Sequence, residues 1–348
     1  MADFELILRG GTVVTAADTF RADVAIRHGR IVSVGSGLGS ADRIIDASGL
    51  LVMPGGIDSH VHLAQHAPPG TPQMADGFET GTRSAIAGGT TTVISFAVQP
   101  RGASLRESVR DYHTKAEGQS YCDYGFHLII SDPSPSVLGQ ELPSLVDDGY
   151  SSFKVFMTYD DLVLNDRQLL EVFDCARGCG ALVMVHCEGY DSIRFMTERL
   201  ERAGKTAPYY HGASRPQSVE REATHRAISH AELVDVPIMV VHVSGREAME
   251  QIRWARQKGL RIYGETCPQY IALTADDMKG FNMDESGGKY VCSPPPRDHA
   301  SWDAIWEGIR TGVFQTFSSD HCPFFYEGEM GKLNPKARTS FRWVPNGI

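Results

Sequence analysis

The sequence predicts an α/β fold: a (β/α)8 barrel of the TIM type over residues 54–348, behind a small partial β-sandwich domain at residues 1–53. Three observations predict it. The first fifty residues hold only short β-rich runs broken by Gly pairs and polar turns. From Gly55 onward, eight apolar β-rich runs alternate with longer, often helix-like stretches. Strand followed by helix, repeated eight times, is the pattern of a parallel barrel. Finally, no G-x-G-x-x-G fingerprint follows any early run, as a dinucleotide-binding sheet would show. Pattern alone leaves a doubly wound sheet as the alternative.

The elements follow in order. "FELILRGGTVVTA", "ADVAIRHGRIVSVG" and "RIIDASGLLVMPG" carry no helical period and read as the strands of the first domain. The barrel strands are "GGIDSHVHL", "TTTVISFAV", "YGFHLIIS", "SSFKVFMT", "ALVMVHCEG", "PIMVVHVSG", "RIYGETCPQ" and "VFQTFSSDHCP". Between them, "DGFETGTRSAIAGG", "DRQLLEVFDCARGCG" and "GREAMEQIRWARQKG" have helical character. The chain ends about 25 residues past the eighth run, on the turn signal Pro-Asn-Gly. The expectation is therefore a barrel without its final helix and a truncated C-terminus.

Composition narrows the function. Net charge is −10, from 33 basic and 43 acidic residues, and the acids are dispersed. That argues against nucleic acid or an anionic membrane as the main partner. No apolar stretch approaches the roughly 20 residues of a membrane helix. The start, "MADFELILRGG", lacks a basic region and long apolar run, so a cytoplasmic location is expected. The seven cysteines are scattered, with only Cys175 and Cys179 close together, and read as reduced structural thiols.

The chemistry concentrates at the ends of the apolar runs. In a strand, residues i and i+2 share a face, so His60 and His62 aim two imidazoles at one point. At the C-terminal end of a barrel strand that point is the mouth of the barrel. His186, His242 and Asp320 end the fifth, sixth and eighth runs in the same relative place. One such residue alone reads as a buried group with a hydrogen-bond partner. Recurrence on four strands reads as a divalent metal site, for which imidazole and carboxylate suit zinc. Lys154 lies between Phe153 and Val155. A salt bridge or a snorkelling stem would explain it. So would a desolvated, neutral amine able to take up CO2 as a carbamate, an anion that can bridge two metals.

In their order and spacing, "GGIDSHVHL", "FETGTRSAIAGGTTTVISFAVQP", "FKVFMTY", "HCEG", "HVSG", "GETCPQY", "CSPPPR", "SSDHCPF" and "PNG" resemble the hydantoinase/dihydropyrimidinase family of the amidohydrolase superfamily. The resemblance runs along nearly the whole chain. It implies two zinc ions and a CO2-derived carbamate on Lys154. His60, His62, Lys154 and Asp320 would hold one metal; Lys154, His186 and His242 the other. It implies that Tyr159 hydrogen-bonds the oxygen that becomes negative, and that the main chains of Ser293 and Asn346 grip a cyclic ureide or imide. A hydroxide bridging the metals would open a dihydropyrimidine or 5-substituted hydantoin to an N-carbamoyl amino acid, with Asp320 as general base and then acid. A homotetramer is implied as well.

Two departures from the family pattern stand out. Ala64 follows Leu63, where dihydroorotases carry an Arg for a substrate carboxylate, which points to a less charged ring. The family's chains also run on past this end, completing the barrel and returning strands to the N-terminal domain. Allantoinase or another cyclic imidase is the rival activity, and a truncated product of low activity is a third reading. A non-enzymatic scaffold relative would lack metal ligands, whereas all six positions are filled here.

Overall fold

A computed structural model describes residues 2–66 and 72–333 of the chain. It divides into two compact units, Met1–Gly56 and Ile57–Ile348. The division falls at Gly56, where the first barrel strand begins.

The first unit has five strands: β1 (Phe4–Val14), β2 (Thr19–Arg27), β3 (Arg30–Gly35), β4 (Ala41–Asp46) and β5 (Leu51–Val52). The sheet order is β3-β2-β1-β4, and β5 also pairs with β1. β1 is antiparallel to β2 but parallel to β4 and β5. The β2–β3 hairpin turns through His28 and Gly29, both at positive φ (53° and 69°), the conformation that matches strand twist in a tight hairpin. The expected sandwich is thus one mixed sheet, with no second layer among the described residues of this unit. Ile7, Val24 and Ala25 are buried, whereas Ile31, Val32, Ile44 and Leu51 are exposed.

The second unit is a barrel of eight consecutive parallel strands: β6 (Gly56–Val61), β7 (Thr90–Val98), β8 (Asp123–Ile129), β9 (Ser152–Phe156), β10 (Leu182–His186), β11 (Ile238–Val240), β12 (Ile262–Thr266) and β13 (Thr316–Phe317). Each lies within one of the runs read as strands, extending one residue further only at Asp123. A bridge between Val61 and His321, with a hydrogen bond of 2.7 Å from the His62 N–H to the His321 carbonyl, joins the first strand to the last. The crossovers carry α1 (Phe78–Ala87), α2 (Leu105–Ala116), α3 (Leu142–Asp147), α4 (Asp166–Cys179), α5 (Tyr190–Arg202), α6 (Tyr209–Ala213), α7 (Gln217–Val234), α8 (Arg246–Gln257) and α9 (His299–Arg310). No helix follows β13 among the described residues. None of the helices is long and apolar enough to cross a membrane.

Strand β9 shows how the barrel sorts side chains. Phe153 and Val155 join the large core shared with the surrounding helices, beside Phe173 and Ile252. Lys154 and Phe156 point the other way, and Phe156 packs with Phe96, Ile129, Met184 and Val241. The period of two thus commits Lys154 to the barrel interior. Helix α4 is set from its own ends. Asn165 and Gln168 form a reciprocal capping box, and Gly180 closes the helix at φ 75°.

These features predict two stability changes. Phe173 is fully buried, so Phe173→Ala should cost about 3–5 kcal/mol through lost transfer energy and a cavity. Asn165→Ala should cost about 1 kcal/mol by leaving helix donors unpaired. Urea unfolding should show both as a lower midpoint with an unchanged slope.

Candidate active site at the mouth of the barrel

Six of the expected side chains come together where the strands end. His60 is the penultimate residue of β6 and is buried completely; Lys154 on β9 is equally buried. His186 ends β10, and His242 follows β11, each 2% exposed. Asp320 follows β13. His242 and Asp320 hold φ of 41° and 52°, left-handed values that ordinary residues adopt only where the surroundings impose them.

The centre of the group is His60. Its Nε2 lies 3.2 Å from Asp320 Oδ1 and 3.4 Å from Lys154 Nζ. His62 Nε2 lies 3.4 Å from the same Asp320 oxygen, and one ligand atom from each of His60, His62 and Asp320 falls within 4.8 Å of the others. The His242 ring is 5.6 Å from His60 and 4.4 Å from His186. Tyr159, at φ 73°, sets its ring 5.2 Å from His186, and the Ser293 side chain hydrogen-bonds its phenol. Asn346 lies outside the described residues.

Burial governs the electrostatics. It pushes His60 and His242 far below the usual imidazole range and lowers His186, so all three are neutral lone-pair donors. It pushes the Lys154 ammonium down too, against the pull of Asp320 and Glu265. Burial alone would raise Asp320, but His60, His62 and Lys154 outweigh it and hold the carboxyl down at about 2. Burial, then Glu188, raises the Tyr159 phenol, which stays protonated as a donor.

Several partners were not singled out in the sequence. Glu265 Oε1 takes His60 Nδ1 at 2.7 Å, and Ser318 Oγ donates to the same carboxylate at 2.5 Å. Glu188 Oε2 holds His186 Nε2 at 2.8 Å, which leaves His186 Nδ1 for the site. The Gln65 amide meets His62 Nδ1 at 2.7 Å. Such contacts fix ring orientation and tautomer in a ligand set. A signal existed for each carboxylate. Glu188 follows His186 at the i+2 spacing, and Glu265 is an acid in an apolar run, the same anomaly that marked Lys154. His127 on β8 is a further imidazole, hydrogen-bonded to the Ser59 carbonyl at 2.9 Å and lowered by burial to about 4.

Comparison with known proteins identifies the family. The profile of the amidohydrolase family matches residues 51–342. The chain is 44% identical, over 99% of its length and 73% of the relative's, to a D-hydantoinase of Ralstonia pickettii. It superposes on a solved D-hydantoinase with a TM-score of 0.94 at 43% identity, covering 99% of this chain and 74% of that one. A dihydropyrimidinase of Brevibacillus agri gives 0.92 at 42%, covering 98% and 73%. With such identity along nearly its whole length, and with the barrel carrying its polar mouth, the chain belongs to the hydantoinase family of the amidohydrolase superfamily and is a hydrolase of cyclic amides.

Proposed function

We propose that this hydrolase opens dihydropyrimidine or 5-substituted hydantoin rings to N-carbamoyl amino acids, using two zinc ions held by six side chains. The observation that carries the reading is the convergence of neutral buried imidazoles, an ionised carboxylate and a buried amine on one point. The donor set suits zinc, and His242 Nδ1 is buried with no hydrogen-bond partner among the described residues. His60, His62 and Asp320 would hold one ion, His186 and His242 the other, and a carbamate on Lys154 both. When bound, the pair supplies a nucleophilic oxygen from water near neutral pH and polarises the ring carbonyl.

The chain's own residues do the rest. Tyr159 donates its hydroxyl proton to the carbonyl oxygen as negative charge grows there. Asp320, kept ionised by its imidazole neighbours, accepts the proton from the attacking oxygen and hands it to the leaving ring nitrogen. The main chain of Ser293 orients the ring, and Asn346 is assigned the same task. The missing arginine after Leu63 favours an uncharged ring substituent. A cytoplasmic homotetramer completes the proposal, and light scattering would measure the assembly.

The decisive experiment is purification with zinc and bicarbonate, then metal analysis and ring opening of hydantoin and dihydrouracil on one sample. About two zinc ions per chain and turnover are expected. Asp320→Asn should lower kcat by about 10²–10⁴-fold, and Tyr159→Phe by about 10²–10³-fold. Lys154→Ala should abolish turnover. A folded chain that holds no metal would sink the reading.

Burial of the imidazoles also predicts how the metal-free chain responds to acid. His60, His127, His186 and His242 have folded pKa values below their unfolded value of about 6.5. Below that pH the unfolded chain takes up protons the folded chain refuses, so stability falls with pH, for His127 down to about 4. The melting temperature of the chelated chain should drop steadily from pH 7 to 4, and zinc at pH 7 should raise it. A flat profile would contradict the assignment of neutral, buried rings.

A further inference from the structure

A second buried polar chain lies beside the ligands, and the reaction above leaves its Arg215 and His211 unused. Arg215, just past α6, reaches two ways. Its Nε lies 3.6 Å from Glu188 Oε1, the carboxylate whose other oxygen holds His186. Its Nη1 lies 3.3 Å from His211 Nδ1. His211 is 2% exposed, and its Nε2 faces the Cys292 carbonyl at 3.1 Å and Ser293 Oγ at 2.8 Å. The Ser293 side chain in turn hydrogen-bonds the Tyr159 phenol.

The polarity of this chain follows from what each group can do. A guanidinium only donates, so His211 Nδ1 must accept. A carbonyl only accepts, so His211 Nε2 must carry the proton that Cys292 takes. The two constraints come from opposite ends of the ring and select one neutral tautomer. The other tautomer sets N–H against N–H at Arg215 and lone pair against lone pair at Cys292. Burial, then the Arg215 charge, also keeps the ring from taking a second proton. The one Nε2–H is shared between the Cys292 carbonyl at 3.1 Å and Ser293 Oγ at 2.8 Å, so that hydroxyl accepts from His211 and turns its own proton outward.

We propose that His211 is a positioning residue whose Nε2–H orients the Ser293 hydroxyl to donate to the Tyr159 oxygen, so that the Tyr159 proton is directed at the substrate oxygen. The proposal rests on the cyclic-amide reading only for what Tyr159 does with that proton. Arg215 sets the tautomer and, through Glu188, ties this side of the site to the metal ligand His186. The clamp on the Cys292 carbonyl also fixes the main chain at Ser293, the segment assigned to grip the ring.

Two measurements test the proposal. In the ¹⁵N spectrum of histidine-labelled protein, the signal that disappears in His211→Gln should be a neutral ring protonated at Nε2. An Nδ1-protonated ring overturns the proposal, and this result needs no substrate. Kinetics then read the effect on Tyr159. Ser293→Ala leaves the main chain in place and should lower kcat for hydantoin by about tenfold, the rate equivalent of one hydrogen bond, with KM little changed. In a Tyr159→Phe background the same change should cost less than about twofold. His211→Ala should follow the same pattern, and His211→Gln, which keeps an N–H at the Nε2 position, should recover most of the rate. Equal losses in both backgrounds, or no loss in Ser293→Ala, overturn the proposal. A zinc-loaded parent chain that turns over neither ring overturns the substrate reading instead, and the tautomer still decides the relay.

Discussion

The hydrogen bond from the His62 N–H to the His321 carbonyl is the contact on which the site depends. It seals the parallel sheet between its first strand and the segment after its last. Without it, His60 and Asp320 would stand at opposite edges of an open sheet. With it, residues 260 apart in sequence share one oxygen-to-nitrogen distance of 3.2 Å. The seam is reinforced on both sides. Asp58 Oδ1 accepts from the backbone N–H groups of His60 and Ser319, each at 3.2 Å. Outside it, Asp76 Oδ2 takes His321 Nε2 at 2.9 Å. Closure is therefore a ladder of backbone and carboxylate contacts, and the candidate ligands ride on it.

Closure creates an electrostatic problem that the polar groups solve in pairs. Titratable side chains packed where no water reaches must be neutral, or matched by an opposite charge. His60 and His186 are held neutral, and each carboxylate here faces an imidazole: Glu265 against His60, Glu188 against His186, and Asp320 against both His60 and His62, while Lys154 and Arg215 supply the neighbouring positive charge. The outer carboxylates are supported in turn, Glu265 by Ser318 and Glu188 by Arg215. Nearby, Glu220 pairs with Arg297 at 2.9 Å and accepts from Ser244. This outer shell fixes which nitrogen of each ring faces the centre. It is also why the left-handed backbone at Tyr159, His242 and Asp320 is tolerated, since packing and hydrogen bonds on every side impose it.

On the proposed function the two sides of the site have different work. The side assigned to the metals is a set of neutral or anionic donors aimed at a point. The side assigned to the substrate is a set of N–H and O–H donors, with Tyr159 and Ser293 at its edge and His211 and Arg215 behind them. Glu188 touches both through His186 and Arg215. A ring amide placed between the sides would meet an electrophile on one face and a proton donor at its developing oxyanion, the preorganisation that hydrolysis of an unactivated amide requires.

The sequence by itself determined the eight strands, the order of the barrel and the six candidate ligands. Each was visible locally, as an apolar run, an i, i+2 pair, or a polar residue at the end of a run. Lys154 was legible because a charge inside "SSFKVFMT" violates the pattern around it. Only the tertiary structure decided which distant neighbours the candidate ligands answer to. Glu265 belongs to His60, 205 positions away, and Arg215 reaches Ser293 only through His211, 82 positions from it. Such pairings depend on which strand ends become neighbours when the sheet closes, and no spacing in the sequence encodes them. The single-layer sheet of the first unit is the same kind of fact. Short β-rich runs broken by Gly pairs announced strands there, but whether a second layer covers their outer face is settled by packing, not by the runs themselves.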